Sequence, residues 1–323
     1  MNSTDHEQLI STLYYITQQL NRYLSPSILL FGIIGNTLNC LVLSQRTLRT
    51  NPCALLFGVS SFIELISIVF GVPSRILAGW NLDPTATNHV LCKLRAFIVF
   101  STRTMGTWLI ALATIDRWLL SCVDNHRRQM STIKNVKKGI IGTVSLGTIC
   151  FTHMFYCYEA NLIDSPLRCY GTNEICRLVT DIIYSLISIL IPLILMLVFG
   201  LLTVLNVHRI HNRVHNQSSI PTVNNSKTTE SRVRKVDHHL LRMLLVQIAL
   251  LNILCLPQAI QKFHVTFHPL GSTSRLADAI EIFLYNIDLL LAFIASGMPF
   301  YIYTLAGGTI FRKAFIDLIR KIF

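Results

Sequence analysis

The sequence predicts an all-α membrane protein, a seven-transmembrane helix bundle with a short amphipathic helix after the seventh span. Three observations carry that prediction. Of the 323 residues only 14% are charged while 52% are hydrophobic; ordinary soluble proteins carry about 25% charged residues. The apolar residues gather into seven runs, at 26–45, 53–76, 92–122, 139–158, 177–207, 239–261 and 280–305. Each is long enough to supply the roughly 20 residues that cross a ~30 Å hydrocarbon core. Basic residues also crowd into alternate connections: 19 of the 28 fall in 46–52, 116–138, 208–242 and 308–323.

Helices are the expected element because lipid offers no partner to a backbone N–H or C=O, so each span must satisfy its own. The basic bias assigns those connections to the cytoplasm, with the N-terminus outside and the C-terminus inside. The net charge of +12 is then explained by topology and by contact with an anionic inner leaflet of the bilayer, and nucleic acid is not expected as a partner. The expected division is an extracellular N-terminus at 1–25, the bundle at 26–305 and a cytoplasmic amphipathic helix at 306–323. The first residues lack the basic and apolar regions of a cleavable leader, so the first span is expected to direct insertion. Asn2 opens the sequon Asn2-Ser3-Thr4 on the outer side.

Polar residues inside the runs mark positions that must face the bundle rather than lipid. Asn36 in the first span is expected to hydrogen-bond to another helix. Glu64 in the second is either a functional group or a protonated structural donor. Pro73 lies near the outer end of that span, followed by Arg75. The third span carries Arg95 and Arg103 and closes on ALATIDRWLLSC, which ends in the acid–base pair Asp116 and Arg117. Arg103 sits about four turns above Arg117, deep enough to require a partner or water. In the fourth span His153 reads as a core or interface histidine. The polar connection YEANLIDSPLRCYGTNEICR holds Cys169 and Cys176. Pro192 and Pro257 punctuate the fifth and sixth spans, and the connection 208–237, without apolar periodicity, reads as mobile. Beyond the last glycines Ile310, Phe311, Phe315, Leu318, Ile319 and Phe323 recur at helical spacing. Arg312, Lys313, Arg320 and Lys321 occupy the other faces, a pattern that suits a helix lying on the inner leaflet.

Gly35-Asn36, Cys92, Asp116-Arg117-Trp118, the prolines at 73, 192 and 257, and FYIYTLAGGTIFRKAF resemble, in order and spacing, the rhodopsin-like (class A) G-protein-coupled receptors over nearly the whole chain. The resemblance implies a plasma-membrane receptor that binds an extracellular ligand and signals to a heterotrimeric G protein by helix rearrangement. It implies no enzymatic activity, cofactor or metal. It implies that Arg117 pairs at rest with Asp116 and with a second acid at the base of the sixth span, for which Asp237, 20 residues before Pro257, is suitably placed. Cys92 should be bonded to a cysteine of the outer connection, taken as Cys169; a Cys157–Cys176 pair stays open. Several family positions differ. Glu64 replaces an Asp, Cys255 a Trp and Gly106 a Ser, and MPFYIY around Tyr303 lacks the usual Asn. The family's buried sodium site is therefore not expected, and Asn36, Glu64 and Cys255 are read as an altered polar core that acts with the switch residue Tyr303.

The ligand is approached by exclusion. Residues 280–305 hold no lysine for retinal, and Val99 stands where amine receptors carry an acid. Arg75, Arg95 and Arg103, with Val99, are the candidate ligand contacts. Guanidinium groups in a cavity suit carboxylates, although Asp181, Glu281 and Asp288 could neutralise them internally. The pattern resembles invertebrate neuropeptide receptors, including the FMRFamide-like group, which implies a peptide ligand. The alternatives are a receptor-like seven-helix protein that does not couple and a small transporter. The paired broken helices in two similar halves that mark many transporters are missing from the sequence.

Overall fold

A computed structural model describes residues 3–45, 48–162, 165–217, 227–267, 274–306 and 308–322. Among them are seven helices long and apolar enough to cross a membrane: Asp5–Leu43, Pro52–Gly79, His89–Ser121, Ile133–Cys157, Glu174–Arg209, Leu241–Phe267 and Arg275–Gly297, here spans one to seven. Span three has 67% of its apolar window buried against 28% for span four, so it is the axis on which spans two, four and five pack. Local chemistry sets where the helices begin. The Asn51 side chain caps span two by accepting from the Cys53 and Ala54 amides, and Asn88 does the same for Val90 and Leu91 at the start of span three. Each cap satisfies backbone donors that have no partner within the helix.

The stretch 1–25 is more ordered than a simple extracellular tail. From Ser3 to Gln19 it is helix, joined through a π-turn at Leu20–Leu24 to Ser25–Leu43, and it packs along span seven. The junction clamps span two. Arg22 donates from Nε to the Gly79 carbonyl at 2.5 Å and lies 4.7 Å over the Trp80 ring. A Cβ at Gly79 would come within 2.9 Å of the Arg22 backbone nitrogen, so the close approach requires glycine there.

The connection expected to be mobile at 208–237 is shorter than its composition suggested. Helix continues to Gln217 and resumes at Lys227, because neither 201–217 nor 227–256 contains a Gly or Pro to end it. In span five a π-helical segment, Tyr184–Leu190, precedes Pro192. Proline has no N–H and crowds the carbonyl four residues back, and a widened turn relieves both. Span seven breaks at Met298, continues as Pro299–Ala306 and leads into the terminal helix Gly308–Ile322. That helix seats Phe311 and Phe315 on Phe300, and Gln45 donates to its Ala314 carbonyl at 2.9 Å.

One end of the bundle carries a two-stranded antiparallel hairpin, β1 (Tyr158–Glu159) and β2 (Tyr170–Gly171). Two disulfides hold it: Cys92–Cys169 ties it to span three, and Cys157–Cys176 ties span four to span five. Glu159 also contacts His89 and Lys93 of span three. The junction between spans one and two gives the first prediction: Arg22→Ala removes a charged donor from the end of span two and should cost about 1 kcal/mol, read as a lower Tm of the purified protein in detergent.

Candidate functional site

At the end opposite the hairpin, span three delivers Asp116 and Arg117 to a closed polar cluster. Arg117 is 3% exposed. It donates from Nη2 to Asp116 Oδ2 at 2.9 Å and to Asn51 Oδ1 at 3.2 Å. Ser131 donates to the other Asp116 oxygen at 2.5 Å. A buried ion pair tolerates its desolvation only when the remaining donors and acceptors are satisfied, and Asn51 and Ser131 contribute to that. The sequence analysis missed both. The Asn51-Pro52 dipeptide ahead of an apolar run was the available sign for Asn51, but it announces a helix cap and says nothing of Arg117. The Asp237 side chain lies outside the described residues, as does Asn2.

Tyr303, fully buried, donates to Gln247 Oε1 at 2.6 Å and so joins span six to the end of span seven. Its ring packs on Phe57 and Phe311. This corrects the expected grouping of Tyr303 with Glu64 and Cys255. Gln247 lies eight residues before Cys255, about 12 Å along the helix, and Cys255 belongs to a different cavity.

That cavity is at the centre. Glu64, Arg103, Thr107, Ser188, Cys255 and Ser296 help to line it, and about 30 Å³ is open to water, room for one or two molecules. Arg103 lies 5.1 Å over the Phe293 ring, and one Glu64 oxygen, Oε2, has no hydrogen-bond partner. The Glu64 carboxyl and the Arg103 guanidinium face a common space without bonding directly. Gly106 explains how Glu64 fits: a Cβ there would stand 2.1 Å from Glu64 Oε1. The extra methylene of Glu over Asp occupies the space that a side chain at 106 would need. Asn36 donates to the Gly32 carbonyl at 3.0 Å and to the Ser296 carbonyl at 3.1 Å, linking spans one and seven as its position predicted.

Arg75 and Arg95 lie close enough to interact, with Asp83 and Tyr285 beside both, whereas Arg103 lines the central cavity. Arg75 pairs with Asp83 at 3.5 Å, both buried, so its neutralising acid is none of the three expected. Arg95 is half-buried with no partner for its Nε. Val99 packs in an apolar cluster with Ile68, Val72 and Phe293 and forms a wall rather than a contact surface. Arg103 belongs to the central cavity.

The principal cation at the hairpin end is instead Lys262 of span six, 1% exposed. Its Nζ donates to Asp181 Oδ1 at 2.6 Å and to the Tyr170 hydroxyl at 3.3 Å. It lies 4.9–5.6 Å from the ring centroids of Tyr170, Tyr285 and Phe100, an aromatic enclosure suited to an ammonium. Thr266 and Tyr170 donate to the second Asp181 oxygen. Burial holds the Tyr170 phenol well above its ordinary pKa, so it remains a neutral donor. The cluster joins spans three, five, six and seven to β2. A cavity of about 350 Å³ lies against it, lined in part by Tyr170, Arg177, Asp181 and Thr266. Lys262 escaped the sequence analysis because the sixth apolar run was closed at residue 261, which left it looking like a cation just past a helix end.

Two outcomes follow from this geometry. Gly106→Ala should destabilise the bundle by about 1–3 kcal/mol through overpacking, and adding Glu64→Asp should recover most of the lost Tm. Lys262→Ala leaves Asp181 buried and uncompensated, which should cost about 3–5 kcal/mol. The double variant Lys262→Met with Asp181→Leu should melt well above Lys262→Ala.

The sequence was then compared with known proteins. Residues 35–310 match the family described as 7 transmembrane receptor (rhodopsin family). Among curated relatives, the neuromedin U receptor homolog nmur-2 of Caenorhabditis elegans is 22% identical over 43% of this chain and 35% of its own length. The galanin receptor type 2 of Homo sapiens is 31% identical over 35% of this chain and 29% of its own. The FMRFamide peptide receptor frpr-18 of Caenorhabditis elegans is 24% identical over 39% of this chain and 30% of its own. The chain thus spans about a third of the length of these relatives. The family match, by contrast, runs from the first span into the terminal helix, and on that evidence the chain belongs to the rhodopsin family of seven-transmembrane receptors.

Proposed function

We propose that the chain is a peptide receptor of the plasma membrane, with the hairpin end and N-terminus outside, the C-terminus in the cytoplasm, and a heterotrimeric G protein as partner at the Arg117 end. The observation that carries this reading is the way span six is fastened at both ends. Near the hairpin Lys262 holds it to Asp181 of span five. Near the other end Gln247 holds it to Tyr303. The two residues are 15 positions apart, about 22 Å along the helix, with Pro257 between them. A ligand that competes for Lys262 or Asp181 acts on the same helix that Gln247 ties to Tyr303. Arg117 is closed off in this arrangement, which is the expected resting state. A ligand opens it only to the extent that it binds the open form more tightly.

The orientation is supported by Arg127, Arg128, Lys134, Lys137 and Lys138, which follow Arg117 within one short stretch, as the positive-inside bias requires. The peptide class is supported by the relatives, two of which are named for the peptides galanin and FMRFamide. Opposite charges buried at the hairpin end and in the central cavity offer partners for both charged and amide groups.

The test is G-protein dissociation in cells expressing the chain, challenged with amidated and acidic peptides. A peptide response is expected. Arg117→Ala should abolish it with surface binding retained, and Arg103→Ala should lower agonist potency at least about tenfold, the loss of one well-made charged contact. Silence across the panel with confirmed surface expression would remove the peptide assignment and leave either a non-peptide ligand or a receptor fold that does not couple. An unchanged dose–response in Arg103→Ala would remove Arg103 from the ligand path.

A further inference from the structure

Spans one and two leave a groove on the outside of the bundle at the Arg117 end. It encloses about 400 Å³. Its lining combines apolar Leu43, Leu55, Val59 and Phe62 with Cys40, Gly58, Ser44 and Arg49. The groove exists because residue 58 is a glycine. A Cβ there would meet little beyond the Leu43 Cβ at 3.6 Å, so a side chain is tolerated and would fill the space. The Cys40 thiol donates to the Gly58 carbonyl.

We propose that this groove holds one anionic phospholipid of the cytoplasmic leaflet, with an acyl chain along the groove and the phosphate on Arg49. Three observations select that occupant. The groove opens sideways: Phe62 is 57% exposed and neighbouring Leu41 is 43% exposed, on spans built for hydrocarbon, so the surrounding medium is lipid. Its length suits one leaflet. Ala54 to Phe62 covers about 12 Å of helix, close to half of a ~30 Å hydrocarbon core. The one charge among its described lining residues sits where a headgroup would be. Arg49 is exposed, makes no ion pair with any described residue, and lies just beyond the last turn of span one. A guanidinium there presents a fork that matches phosphate oxygens.

The assignment to the cytoplasmic leaflet rests on the orientation proposed above; the binding itself does not. Native mass spectrometry of the full chain in detergent would compare dioleoylphosphatidylglycerol with dioleoylphosphatidylcholine at equal concentration. The first equivalent of the anionic lipid should be retained about fivefold better, the value of one basic residue near an anionic headgroup. Arg49→Gln, at an exposed position, should abolish the preference while leaving phosphatidylcholine retention unchanged. Gly58→Leu should reduce retention of both lipids. Equal retention of the two lipids by the wild-type chain, or a preference that survives Arg49→Gln, would overturn the proposal. An antibody to a C-terminal tag, tested before and after permeabilisation, reads the orientation separately, so a reversed topology would move the lipid to the other leaflet without being mistaken for an empty groove.

Discussion

The bundle is organised by what charged groups require when water is removed. An ionised side chain in hydrocarbon is costly enough that it must find a partner or a water-filled space, and a half-made pair is worse than none. Three buried ion pairs here therefore fix relations between elements. Arg75 binds the end of span two to Asp83 in the turn that follows. Lys262 and Asp181 gather four spans and the hairpin around one ion pair. Asp116 and Arg117 draw in Asn51 from the start of span two and Ser131 from the connection to span four. Apolar packing against lipid carries little preference for one neighbour over another, whereas these contacts do.

This explains which parts of the fold were readable in the residues. The seven spans follow from run length and hydropathy, which need no knowledge of neighbours. Asn36 was readable as an interhelix donor because an amide in mid-membrane has few other options, and its partner proved to be a carbonyl of span seven. Partner identities were less accessible. The acid for Arg75 was sought among Asp181, Glu281 and Asp288, but Asp83 lies only eight residues further along the chain and reaches back to it. Asp181 was already taken by Lys262, and Glu281 by His264 at 2.9 Å. Such choices depend on helix rotation and on the path of the hairpin, which hydropathy does not encode. The N-terminal helix was hidden for the opposite reason: its polar sequence gives no signal for packing until span seven is present beside it.

The departures from the family pattern look different once volumes are considered. A glutamate in place of an aspartate reaches one methylene further, and a serine at 106 would meet its carboxylate. With glycine there the longer acid is accommodated, and Arg103 on the next turn supplies an opposing charge across the cavity. The two substitutions compensate each other, as expected where packing is dense and a single change would be felt. The altered end of span seven is likewise occupied: the hydroxyl of Tyr303 is bonded to Gln247.

Span six is where these arguments meet. Its length from Lys227 to Phe267 is continuous helix with Pro257 inside it, so a displacement at Lys262 is carried toward Gln247 with little loss except at the proline. Near the hairpin the fastening is a buried ion pair between Lys262 and Asp181, supported by Tyr170 and Thr266, and near the other end it is one hydrogen bond from Tyr303 to Gln247. Of the apolar window of span six 33% is buried, against 56% in spans two and seven and 28% in span four, and between the two ends Tyr184 of span five donates to Gln258 at 3.1 Å. Span six is thus fixed by polar contacts near both ends, while span three, more deeply enclosed and cross-linked to the hairpin, is the frame on which the bundle is built.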